Sequence, residues 1–218
     1  MYIYFFKRLI DILFCLIFFP IFIILFIIIG IVIKLEDKGP IFFRAKRIGR
    51  NSKIFDMYKF RSMKVNSPNI INKDGSTYNS KNDLRVTKIG KFLRETSIDE
   101  IPQILNVLKG EMSIIGPRAS GAEALDTYLE DEIDKMKVRP GITGYTQAYY
   151  RNRISVREKR LKDAWYANNV SFSLDLKIFL KTVQTVLKKE NLYTNVEENK
   201  DINIELKKEE LQKIAKNN

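Results

Sequence analysis

The sequence predicts an α+β fold: mixed helices with a β-hairpin, preceded by an amino-terminal membrane segment that enters and leaves the bilayer as a re-entrant helix-break-helix. Three observations lead there. Ile12–Ile33 is apolar apart from Cys15, Pro20 and Gly30, long enough as a helix to cross a hydrocarbon core of roughly 30 Å. Residues 41–47 and 54–60 are rich in Ile, Phe, Tyr and Met and flank Gly49-Arg50-Asn51-Ser52, which is turn chemistry. Beyond residue 100, apolar residues recur at helical spacing between Gly and Pro punctuation.

The amino-terminal segment is too long for the apolar core of a signal peptide, and no small-residue cleavage site follows it. Hydropathy alone suits one spanning helix. Lys7 and Arg8 flank one end, however, and Lys34, Lys38, Arg44, Lys46 and Arg47 the other, so both ends have a claim to the cytoplasmic face. Pro20, near the middle, removes a backbone donor and crowds the preceding turn. A re-entrant hairpin satisfies both observations.

After the hairpin, residues 65–83 are polar and turn-rich, a long surface loop of the kind that serves as a lid or stays disordered. Ile104, Leu105 and Leu108 follow Pro102 at helical spacing and Gly110 supplies a stop. Residues 121–136 predict a further helix with Leu125, Leu129, Ile133 and Met136 on one face. Residues 155–168 and 172–189 continue the pattern; in the second, Leu176, Phe179, Val183, Val186 and Leu187 oppose Lys177, Lys181 and Lys188, which suits either the core or a lipid interface. The stretch from about Glu190 is charged and Asn-rich, a loose tail.

Composition narrows the chemistry. The chain has 218 residues, a net charge of +12 and no histidine, so it seeks anionic partners and lacks the usual neutral-pH general base. Its single cysteine, Cys15, lies in the apolar run, which excludes an internal disulfide. Catalysis must rest on carboxylates, lysines or hydroxyls. Asp99 and Glu100 stand in SIDEIPQ, residues 97–103, just before a proline suited to a first helical turn. A capping box from Ser97 to Glu100 explains this pattern without any catalysis. The chemical reading is that one carboxylate attacks phosphorus while its neighbour, about 100° round the helix, holds Mg²⁺. Lys59 and Arg61 in KFRSM, Arg85, Lys88 and Arg94, and Arg118 in GPR are the candidate phosphate partners. IIGPR at 114–118 and RPGITG at 139–144 read as two tight loops whose amides come close to a ligand.

Taken in order, these motifs resemble the monotopic phosphoglycosyl transferases of the bacterial sugar transferase family, over roughly residues 7–189. The resemblance rests on Lys7, Arg8 and Asp11, the proline-broken apolar segment, GPIFF at 39–43, YKFRSM at 58–63, SIDEIPQ, NVLKGEMSIIGPR at 106–118, RPGITG and SLDLKI at 173–178. It implies a ping-pong reaction in which Asp99 attacks the inner phosphate of a UDP-sugar, releases UMP and leaves a phosphosugar-aspartyl enzyme. Polyprenyl (undecaprenyl) phosphate then collects the sugar phosphate. It further implies Glu100 as the Mg²⁺ ligand and Lys59, Arg118 and Asp175 at the active site, with a re-entrant helix holding the enzyme on the cytoplasmic face of the inner membrane. The chain divides accordingly into a membrane helix at 1–36, a catalytic domain at 37–189 and a tail at 190–218. Where the family continues GPR with proline and ITG with tryptophan and then asparagine-glycine, this chain has Ala119, Tyr145 and Tyr149-Tyr150, and it has Phe19 in place of serine before Pro20.

Two readings compete. A single-pass anchored basic module would hold phospholipid head groups, or scaffold other glycan-assembly enzymes, without turnover. Nucleic acid is excluded as a partner because the positive charge is spread along the chain with no recognisable basic-aromatic module.

Overall fold

The computed structural model describes residues 2–70, 72 and 78–188; the expected tail and part of the loop at 65–83 lie outside them. The dominant element is α1, Lys7–Asp37, whose helical hydrogen bonding runs through Pro20 as one 31-residue element. The break expected at Pro20 is therefore no gap in the helix: a proline removes one donor, and the apolar turns either side of it sustain the rest.

Both ends of α1 are bonded to the same body. At its start Arg8 donates to the carbonyls of Val107 (2.6 Å) and Leu108 (3.1 Å), and Asp11 accepts from Ser113 Oγ (3.0 Å) and the Ile114 amide (2.9 Å). At its finish Glu36 accepts from the amides of Lys88 (2.7 Å) and Ile89 (3.1 Å), and Asp37 pairs with Arg61. Between these points Cys15, Phe22, Ile29 and Ile33 are buried among residues of the rest of the chain. The opposite face, including Ile17, Ile24, Ile28 and Ile31, is exposed.

The hairpin forms as expected. β1, Phe42–Ile48, pairs antiparallel with β2, Ile54–Phe60, and the turn between them holds Asn51 and Ser52 at positive φ. α2, Lys88–Thr96, was not anticipated, although Ile89, Phe92 and Leu93 lie at helical spacing behind Thr87, whose hydroxyl accepts from Gly90 N (3.0 Å). α3, Gln103–Lys109, ends on Gly110 at φ 83°, as the sequence required.

The two glycine loops meet each other. β3, Ser113–Ile115, lies parallel to β4, Gly141–Thr143, and a Cβ on Gly141 would come within 2.1 Å of the Gly116 amide nitrogen. The close approach that these glycines permit is thus between backbones, whereas the sequence reading assigned it to a ligand. The helix expected at 121–136 is replaced by two 3₁₀ stretches, Ala122–Thr127 and Glu130–Lys137. Tyr128 and Leu129, both extended, separate them; Leu129 and Ile133 are exposed while Glu132 is buried between Arg157 and Arg160. Tertiary ion pairing sets this segment, which an apolar period cannot reveal.

The chain closes with α4, Tyr145–Tyr149, α5, Val156–Asn168, and α6, Phe172–Leu187. α6 does both things its pattern allowed. Ile178 and Thr185 face inward, and Phe172, Leu176, Leu180, Val183 and Leu187 are exposed alongside α1, where Phe14 meets Phe179 edge-on at 6.0 Å. Both helices therefore leave apolar side chains uncovered, and Phe14 and Phe179 join them where they meet.

Candidate active site

α2 stops at Ser97, which adopts φ 58°, and the chain enters a 3₁₀ turn, Ile98–Glu100, before α3. The capping box does not form: Ser97 makes no side-chain cap, and the Glu100 carboxylate is engaged elsewhere. Ile98 and Ile101 pack against the cluster of Phe60, Leu93 and Phe22, pinning the turn on either side of the two acids. Asn106 of α3 fixes the hairpin against it, accepting from the Tyr58 amide (3.0 Å) and donating to the Asp56 carbonyl (2.7 Å). That clamp sets the position of Lys59, whose Nζ stands 2.5 Å from Glu100 Oε1 and 3.9 Å from Asp99 Oδ2.

The two acids have opposed electrostatics. Asp99 is buried, and desolvation, with help from the Glu100 charge and against the pull of Lys59, pushes its carboxyl up to about 6. Glu100 also suffers desolvation, but Lys59 and Arg118 outweigh it and hold this carboxyl below the usual range. One group stays ionised while its neighbour titrates near neutrality, a separation typical of working carboxylate pairs. Because the Asp99 carboxyl is raised, its anion is present above about pH 6 and lost below it. If that anion is the attacking group, turnover falls by about tenfold for each pH unit below that point, and a pH–rate profile flat down to pH 4.5 would refute that role.

Glu100 lies on the wall of a cavity of about 480 Å³. Its apolar lining includes Phe14, Phe18, Ile21, Phe22 and Leu25 of α1 with Phe179 and Val186 of α6. Its polar lining includes Arg118, Gln147, Arg151, Asn152 and Lys159. Buried Asp163 accepts from the Arg118 amide (3.1 Å), Thr146 Oγ1 (2.8 Å) and Lys135 Nζ (3.2 Å), and so ties the first glycine loop, the turn after the second and the stretch Glu130–Lys137 to residues 156–168.

The structure thus brings together Lys59, Asp99, Glu100 and Arg118. It places three other candidates elsewhere. Arg61 is buried against Asp37 and the Pro40 carbonyl (2.6 Å), where it secures the end of α1. Arg85 is buried and committed to Asp83 (2.7 Å) and to the carbonyls of Pro68 and Tyr78. Asp175 binds Lys7 (2.6 Å), Tyr166 (2.6 Å) and Tyr2 (2.7 Å), tying α6 to the start of α1. Each of the three has spent its charge on scaffold. Arg151 and Lys159 went unnoticed in the sequence, which offers only their positive charge close after RPGITG.

The cavity thus joins apolar side chains of α1 and α6 to Glu100 and to a set of cationic and amide side chains, the kind of mixed lining that ligand sites have. The chain belongs to the bacterial sugar transferase family, which it matches over residues 2–189. It is 38% identical over 186 residues to an uncharacterised sugar transferase of Bacillus subtilis, covering 85% of this chain and 89% of that one. It is 37% identical over 171 residues to the undecaprenyl-phosphate galactose phosphotransferase of Salmonella typhimurium, covering 72% of this chain and 35% of the relative. With the UDP-glucose:undecaprenyl-phosphate glucose-1-phosphate transferase of Klebsiella pneumoniae it shares 40% identity over 186 residues, or 82% and 39% of the two chains. The chain therefore spans little more than a third of the length of the last two. The apolar amino-terminal helix and this membership together make it a membrane protein.

Proposed function

We propose that the chain transfers a sugar phosphate from a UDP-sugar to undecaprenyl phosphate, through a covalent intermediate on Asp99. The observation that carries the reading is the cleft itself: Glu100 and Arg118 share one cavity with the aromatic side chains of α1. A polyprenyl phosphate has a charged head and an apolar tail, and a cavity lined by both cationic and apolar side chains suits both. The names of relatives support the reaction and differ in the sugar, being galactose in Salmonella typhimurium, N-acetylgalactosamine in Aeromonas hydrophila and glucose in Klebsiella pneumoniae.

In the first half-reaction an Asp99 oxygen bonds to the phosphorus that bears the sugar, the bridging P–O bond breaks, and its electron pair leaves on UMP. Lys59 neutralises part of the charge that would repel the attacking anion, and the raised carboxyl of Asp99 makes it a better nucleophile than an ordinary aspartate. In the second half-reaction a phosphate oxygen of the lipid displaces Asp99. Mg²⁺ is proposed as cofactor. Among the described residues no group of three acidic, histidine or cysteine side chains forms a cage, but Mg²⁺ ordinarily takes one or two carboxylates plus substrate phosphates, which Glu100 at the cavity wall can satisfy. Bound there, it would offset the negative charge of the diphosphate.

The two anchored ends of α1 support a reading of the topology. A helix crossing the bilayer would hold its ends on opposite sides, whereas Arg8 and Asp11 at one end and Glu36 and Asp37 at the other bond to one globular body. This supports a monotopic arrangement with the body on the cytoplasmic face and the apolar face of α1 and α6 in lipid. A basic module without turnover would give no reason for the Asp99 carboxyl to be held near neutrality beside a cavity. The test is isotope exchange: without acceptor lipid, labelled UMP should enter the UDP-sugar pool, because the first half-reaction reverses. Exchange that appears only when polyprenyl phosphate is present would exclude the covalent route.

A further inference from the structure

Lys135 belongs to Glu130–Lys137, the 3₁₀ stretch that Arg157 and Arg160 of α5 hold through Glu132, and it is buried. Its Nζ stands 3.1 Å from the Arg118 carbonyl oxygen, 3.2 Å from Asp163 Oδ2 and 3.3 Å from Ser120 Oγ, one acceptor for each N–H of an ammonium. The same Asp163 Oδ2 accepts from the Arg118 amide at 3.1 Å. A closed circuit therefore runs from the Arg118 amide, through one carboxylate oxygen and one ammonium, back to the Arg118 carbonyl. The preceding carbonyl, of Pro117, accepts from the Gly141 amide at 2.9 Å, so the chain just before Arg118 is pinned as well. Arg118 itself is exposed, and it lines the cavity that Glu100 also lines.

A backbone amide and carbonyl do not need charged partners; neutral side chains satisfy them with less desolvation. A buried ion pair adds little net stability once the desolvation of both ions is counted. What this pair does achieve is geometric: with both of its backbone polar groups held, Arg118 keeps only the rotamers of its own side chain, and a long side chain on a fixed base reaches a fixed region of the cavity. We infer that Lys135 is a positioning residue, which acts through the Arg118 backbone to set where the guanidinium meets a substrate phosphate. This rests on the UDP-sugar reading above. The stretch that departs from its helical apolar period thus serves the site through one buried lysine, 17 residues along the chain from the arginine it holds.

The test uses the full chain in detergent and titration calorimetry against UMP, uridine and inorganic pyrophosphate. Lys135→Met strands the Asp163 carboxylate, so Lys135→Met/Asp163→Asn is measured beside it; there no charge is stranded and the amide oxygen can still accept from Arg118. Both are made in the wild-type and in the Arg118→Ala background. UMP affinity is expected to fall roughly 10- to 100-fold in each variant with uridine affinity unchanged, and the further loss to vanish once Arg118 is alanine, because the residues act as one unit. UMP affinity equal to wild type in both variants overturns the proposal. So does a loss greater than Arg118→Ala alone produces, since a residue acting through Arg118 cannot matter more than Arg118. Equal weakening of UMP and uridine, persisting in the Arg118→Ala background, also overturns it and makes Lys135 merely structural. If wild type binds pyrophosphate with this dependence on Lys135 but binds no UMP, the positioning role survives and the UDP-sugar reading beneath it falls.

Discussion

Asp99→Asn is expected to abolish UMP release, by at least about 10³-fold, while melting at a higher temperature than wild type. The first half follows from chemistry: an amide oxygen cannot form the acyl phosphate, and no histidine is present anywhere to substitute. The second follows from linkage. The folded state raises the Asp99 carboxyl from 3.8 to about 6, so it binds that proton more tightly than the unfolded chain does. A group shifted upward favours the fold below its unfolded value and loses that contribution as pH rises through the folded one. At pH 8 the buried anion is therefore a burden on the order of 1–3 kcal/mol, partly relieved by Lys59, and asparagine removes it. Lys59 is not orphaned, because Glu100 holds it at 2.5 Å. A gain of about 2–8 °C in melting temperature at pH 8, shrinking toward pH 5, is the expected signature. A variant that is equally inactive but less stable at pH 8 would mean that Asp99 serves the fold rather than the reaction.

The opposite sign is expected one residue on. Glu100 is held below the usual range by Lys59 and Arg118, so its ionised form is the one the fold prefers. Adjacent acids that look alike in SIDEIPQ are distinguished by burial and by a cation from a distant hairpin, and neither is encoded in their spacing.

That contrast marks what could be read from the chain. Elements governed by local rules were legible: the hairpin around Gly49–Ser52, α3 between Pro102 and Gly110, and α5 behind Ser155 each follow from residues a few positions apart. Elements governed by distant partners were not. Residues 121–136 have a helical apolar period, yet Glu132 is claimed by Arg157 and Arg160 from α5, and the segment folds as 3₁₀ around those pairs. The same logic explains the site. Lys59 and Arg118 stand close to the two acids, whereas Arg61 and Arg85 carry the same charge but are paired with Asp37 and Asp83. The Arg85–Asp83 pair spans two residues and was open to a local reading; the Arg61–Asp37 pair depends on where α1 ends.

Removal of residues 1–37 is expected to unfold the remainder rather than release a soluble domain. If α1 were a simple anchor, the body would keep its core without it. Instead Phe22, Ile29 and Ile33 are buried against Phe60 and Leu93, and Cys15 against Phe55, Met57 and Met112. The burial of Phe22, Ile29 and Ile33 alone is worth roughly 5–9 kcal/mol, comparable to the whole net stability of an ordinary domain. The loss is polar as well. Without α1 the amides that begin α2 lose Glu36, the carbonyls that end α3 lose Arg8, and buried Arg61 loses its carboxylate. Ser113 and the Ile114 amide lose Asp11 at the start of β3, next to the crossing of the glycine loops that carries Arg118. Residues 38–188 expressed alone should therefore show no near-ultraviolet dichroism and no cooperative melt, in detergent as in water. A monomer of that fragment melting cooperatively within a few degrees of the full chain would mean that α1 is only an anchor, and the argument for a monotopic arrangement from its two bonded ends would lose its footing.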